Sequence, residues 1–109
     1  MRVAFVNVNA KQDAILGREL DFYENKCSIE LGTLYLDANI DWQPGDQRIH
    51  VNVLHHLSRG EDWREVLRRF QPDLVALSAL TYYAPELSYL AGWVKQELGC
   101  LTVAGGPHV

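Results

Sequence analysis

Apolar and polar positions follow two different periods along this chain. Val3-Ala4-Phe5-Val6 and Leu74-Val75-Ala76-Leu77 are unbroken apolar runs of strand length, the pattern of parallel strands covered on both faces. Ile49-His50-Val51-Asn52-Val53 alternates instead, which predicts a half-exposed strand near a sheet edge, and Leu101-Thr102-Val103-Ala104 is a short, mixed fourth strand for the other side. Between the strands the period lengthens. Leu31, Leu34, Tyr35 and Ala38 recur at i, i+3, i+4, i+7, as do Trp63, Val66, Leu67 and Phe70, so each set forms the stripe of a helix packed on a sheet. A third helix has Pro85 and Glu86 in its first turn, Leu87, Leu90, Ala91, Val94 and Leu98 on its buried face, and Gly99 to end it.

Local signals agree with these periods. Asp62 with Glu65 three residues on resembles a capping box, and Arg68 and Arg69 complement the dipole of the helix that Pro72 stops. The order is therefore β-α-β-α-β-α-β in one domain, residues 1–109. Right-handed crossovers turn that order into a Rossmann-like (flavodoxin-like) doubly wound parallel α/β sheet, strand order 2-1-3-4. In such a sheet a ligand sits beyond the carboxyl ends of strands 1 and 3. The binding edge is thus expected at Asn7 to Ser28, at Ser78 to Ala84, and from Gly105 onward.

Composition narrows the ligand. With 14 acidic and 10 basic residues the formal charge is -4, which supplies no electropositive surface for nucleic acid or an anionic membrane. The apolar start is too short for a signal-peptide core and no stretch approaches membrane-spanning length, so a cytoplasmic protein is expected. Cys27 and Cys100 lie far apart without partners at metal-ligand spacing and read as reduced core thiols. The first βα turn, Ala10-Lys11-Gln12-Asp13, lacks the glycines of a dinucleotide or P-loop site. A phospho-relay receiver would need acids where Asn7, Asn9 and Ser78 stand. What remains is an uncharged edge of Asn, Ser, Thr, Tyr and Gly, suited to a large neutral or zwitterionic ligand approaching the backbone closely. The candidate set is Asn7, Asn9, Ser78, Ala79, Leu80, Thr81, Tyr82, Gly105, Gly106, Pro107 and His108.

Ser78-Ala79-Leu80 and Gly105-Gly106 match the second and third parts of the cobalamin fingerprint D-x-H-x-x-G, S-x-L and G-G. Together with Leu31-Gly32-Thr33-Leu34-Tyr35-Leu36, Pro72-Asp73-Leu74-Val75-Ala76-Leu77-Ser78-Ala79-Leu80-Thr81 and Ala104-Gly105-Gly106-Pro107-His108, they carry a similarity that runs over nearly the whole chain, the last two segments being the most specific. On these segments the chain resembles the N-terminal cobalamin-binding domain of cobalamin-dependent radical S-adenosylmethionine enzymes. The resemblance implies that Ser78, Leu80 and Thr81 flank the nucleotide tail of cobalamin and that Gly105-Gly106 lets the tail pass close to the backbone. It also implies a downstream radical domain carrying an iron-sulfur cluster and S-adenosylmethionine, outside these residues. The D-x-H-x-x-G part is absent, and no histidine lies between Val3 and Ile49 to ligate cobalt from the usual place.

The family's fifth strand and helix have no counterpart before Val109, so strand 4 is expected to be covered by downstream sequence or by self-association. Nothing in the chain pairs a nucleophile with a positioned base, so catalysis by this domain alone is not expected. A non-catalytic oligomerisation or regulatory module is the alternative. His55 and His56, read as neighbours on an extended chain, point to opposite sides and suit a solvated strand end rather than a metal. Trp42, Trp63 and Trp93 read as packing residues, while Tyr82 and Tyr83 could face a corrin or close the core.

Overall fold

The computed structural model describes residues 1–9, 36–79 and 83–105. Four strands, β1 (Arg2–Val8), β2 (Gln47–Asn52), β3 (Leu74–Ala79) and β4 (Leu101–Gly105), form one parallel sheet in the order β2-β1-β3-β4. The helices are α1 (Val53–Ser58), α2 (Trp63–Phe70) and α3 (Ala84–Glu97), and residues 36–39 are also helical. Doubly wound topology and strand order are thus those the hydrophobic pattern predicts.

The core lies on one side of the sheet. Ala4, Val6 and Val8 of β1 and Val75, Leu77 and Ala79 of β3 meet Leu54, Trp63, Leu67, Leu87, Leu90 and Val94 from the three helices. Trp63 and Trp93 pack edge to face at 5.2 Å, and Arg64 and Arg68 lie over the two indoles. The packing role expected for these tryptophans holds. Emptying a site such as Leu67, which is fully buried, would cost about 2–5 kcal/mol.

Local chemistry fixes the helix ends. The αL backbone of Gln71 (φ 52) closes α2 before Pro72, and Gly99 (φ 63) follows α3. Asp62 caps α2 through the Arg64 amide at 3.0 Å, whereas Glu65 turns outward to Arg68 and Arg69, so only half of the expected capping box forms.

Four expectations are corrected. Val53 does not end a strand, because Asn52 accepts a hydrogen bond from the His55 amide at 3.0 Å and starts α1 at Val53. His55 and His56 consequently lie on a helix, where His55 is exposed and His56 faces Glu61 at 3.2 Å. Ala38 is exposed, and Asp37 is the more buried residue of residues 36–39; Leu31, Leu34 and Tyr35 lie outside the described residues. Finally, β1 is buried on both faces but β3 alternates, with Leu74, Ala76 and Ser78 only half-buried. The reason is handedness: the rightward crossovers deliver α1, α2 and α3 to one face, while the leftward step from β1 to β2 brings residues 36–42 over β1 and β2.

The amino end of the sheet is stitched by polar groups. Arg2 and Asp73 exchange hydrogen bonds at 2.8 and 2.7 Å, and the Arg2 Nε donates to the Phe70 carbonyl at 2.6 Å. The terminal amine meets Asp46 at 2.9 Å.

Candidate functional site

Register puts four polar or small residues in one row across the carboxyl edge. Asn52 pairs with Asn7, Asn7 with Ser78, and Ser78 with Gly105, so the row spans all four strands. In a parallel sheet, residues in register present their side chains to the same face. Here it is the face away from α1, α2 and α3, because Phe5 and Ala76, two positions earlier, line the opposite trough. Asn7 is buried, while Ser78 and Gly105 are half-buried.

The two neighbouring asparagines lock the edge. Asn9 donates through Nδ2 to Asn52 Oδ1 at 2.8 Å, and Asn9 Oδ1 accepts from the Leu54 amide at 2.8 Å. Asn52 Oδ1 accepts from the His55 amide as well, so both side chains hold the ends of β1 and β2 to the first turn of α1. Asn9, placed among the ligand-contacting residues by the sequence, is buried with both ends of its amide engaged in the fold.

Gly105 has the opposite character. A Cβ added there meets nothing within 4 Å, and its φ lies outside the left-handed region, so neither packing nor backbone requires glycine. Among the described residues nothing fills the space beside this strand end. Ala79 is buried on the helix side of the sheet, away from the row. Leu80, Thr81, Tyr82, Gly106, Pro107 and His108 lie outside the described residues. Tyr83 is buried in the core cluster.

Two groups were not singled out from the sequence. Glu86, in the first turn of α3, is buried close to the same edge of β3. Asp37 collects three donors: His50 Nε2 at 2.6 Å, Trp42 Nε1 at 2.9 Å and Arg48 Nε at 2.9 Å. Desolvation pushes the Asp37 carboxyl up, but the hydrogen bonds from His50 and Trp42 and the Arg48 charge outweigh it, leaving the pKa below the ordinary aspartate range. His50 stacks on Phe5 at 4.8 Å, and Arg48 lies over Trp42. The cluster fastens residues 36–42 to β2. The alternation around His50 marked its face, but only the fold brings Asp37 to it.

Burial raises the Cys100 thiol pKa, which makes it a poor nucleophile at neutral pH. Among the described residues no group of three or more His, Cys, Asp or Glu side chains is placed to hold a metal ion. No helix of the described residues is long and apolar enough to cross a membrane. Comparison with protein-family models, with curated proteins and with solved structures gave no match.

Proposed function

We propose that this chain is a cobalamin-binding domain serving a radical S-adenosylmethionine enzyme in the cytoplasm, with the chemistry completed by a downstream iron-sulfur domain. The observation that carries the proposal is the row Asn7, Ser78, Gly105 at the point where the strand order reverses. Open α/β sheets bind ligands at such a switch point. The resemblance of the surrounding segments to the cobalamin family supplies the identity of the ligand.

The residues present suit that group. Ser78 offers a hydroxyl beside the open space above Gly105, and a nucleotide tail lying there would meet backbone rather than side chain. Asn7 contributes a buried amide to the same row. Bound cobalamin would supply a cobalt centre able to carry a methyl group or assist a radical rearrangement; this chain's part is to hold and orient it. With no histidine in the first loop, this chain would offer the cobalt no imidazole from there.

The test is direct. Purified protein mixed with hydroxocobalamin and desalted should retain the visible cobalamin spectrum, and the Co(II) form should show no nitrogen splitting from an axial imidazole. A colourless protein after desalting overturns the proposal. It would favour the second reading, a non-catalytic association module, for which the 70% and 55% exposure of Leu101 and Val103 on β4 speaks.

A further inference from the structure

The face of the sheet opposite the three helices carries a concentration of exposed apolar side chains. Among the described residues, Met1, Leu36, Ile40, Leu101 and Val103 are the large hydrophobic residues between 42% and 70% exposed. Met1, Leu36, Ile40 and Val103 line one trough of about 380 Å³, and Leu101 stands beside it, in register with Leu74. Its floor is Leu74, Ala76 and Val103, and Leu36 and Ile40 form a raised rim four residues apart.

We propose that this trough is a two-fold interface between two copies of the chain, the Leu36 and Ile40 rim of each copy seated over the Leu74, Ala76 and Val103 floor of the other. Three observations favour a second copy as the occupant. A rim and a trough side by side on one face are self-complementary, as an isologous contact requires. The five exposed side chains amount to roughly 500 Å² of apolar surface, at the upper end of what a monomer shows. Two such faces reach about 1,000 Å², the threshold of a specific interface. Lastly, the ion pairs near the trough close within the chain, Asp46 with the terminal amine at 2.9 Å and Asp37 with Arg48 at 2.9 Å, while Asp41, which also lines the trough, is exposed. Closing the face therefore strands neither pair.

The interface does not depend on cobalamin, and its test is run without it. Sedimentation of the 109-residue protein over a concentration series should show a monomer–dimer equilibrium. Val103→Glu should raise the dimer Kd at least tenfold, while Ala104→Glu, one residue along and on the other side of β4, should leave it within about threefold. In a background with Cys27 and Cys100 replaced by serine, mixing Ile40→Cys with Val103→Cys protein should give a disulfide-linked heterodimer faster than either alone forms homodimers. A monomer at every concentration overturns the proposal. So does a dimer indifferent to Val103→Glu, or one that cross-links only through Val103→Cys with itself, which would mean pairing along the β4 edge. A longer form of the protein whose own segment shields Val103 within a monomer would overturn it equally.

Discussion

Replacing Asn9 with alanine removes two buried hydrogen bonds at once, the one its Nδ2 donates to Asn52 and the one its Oδ1 accepts from the Leu54 amide, both 2.8 Å. Each such bond contributes about 1 kcal/mol net, but the Leu54 amide is left buried without its acceptor, and that omission costs a further 1–3 kcal/mol. The expected loss is about 3–5 kcal/mol, a lowering of Tm by roughly 13–22 °C for a domain of this size. Urea denaturation followed by far-ultraviolet dichroism measures it. Because Asn9 and Asn52 share a bond, the double variant should lose less than the sum of the singles, by at least about 0.5 kcal/mol. Ser78→Ala, at a half-buried position in the adjoining row, should change stability by under about 1 kcal/mol while weakening cobalamin retention. A loss below about 0.5 kcal/mol for Asn9→Ala, or strict additivity with Asn52→Ala, would refute the reasoning that Asn9 acts through the fold.

Gly105→Val should fold as well as the parent protein, since an added Cβ meets nothing and a branched residue suits a strand, yet it should weaken cobalamin binding at least tenfold; titration at the visible absorption band checks this, and unchanged affinity would move the ligand elsewhere. Asp37 has a lowered pKa in the folded state, so its contribution to stability is present above its unfolded value near about pH 4 and is lost as pH falls through the lower folded value. Asp37→Asn should therefore flatten the acid limb of a plot of urea midpoint against pH, and an unaltered slope there would contradict the cluster. Cys100, with its thiol raised by burial, should react more slowly with a thiol reagent at pH 8 in a Cys27→Ser protein than the same protein does in denaturant; equal rates would show it exposed.

How much of this was legible in the sequence depends on the range of the interaction concerned. The unbroken runs at Val3 and Leu74, the 3.6-residue stripe through Trp63 and Leu67, and Pro85 and Gly99 at the ends of the third helix are signals each segment carries within itself. Strand order then followed from the handedness of crossovers, which depends on backbone chirality and not on particular side chains. Ser78 and Gly105 could be named as strand-end residues for the same reason.

Other features required neighbours distant in the chain. Asn9 reads as a ligand residue because its amide looks free; only the approach of Asn52 and Leu54, more than forty residues away, uses both ends of it. Asp37 becomes a structural anion when His50, Trp42 and Arg48 converge on it. The apolar run of β3 promised two covered faces, and hydrophobicity along a strand cannot say which of them a helix reaches. Periodicity and chirality, which act locally, were determined by the sequence alone. The partners of Asn9 and Asp37 and the partly exposed face at Leu74, Ala76 and Val103 were decided by tertiary structure, because a hydrogen bond or a buried surface exists only once both of its sides have been brought together.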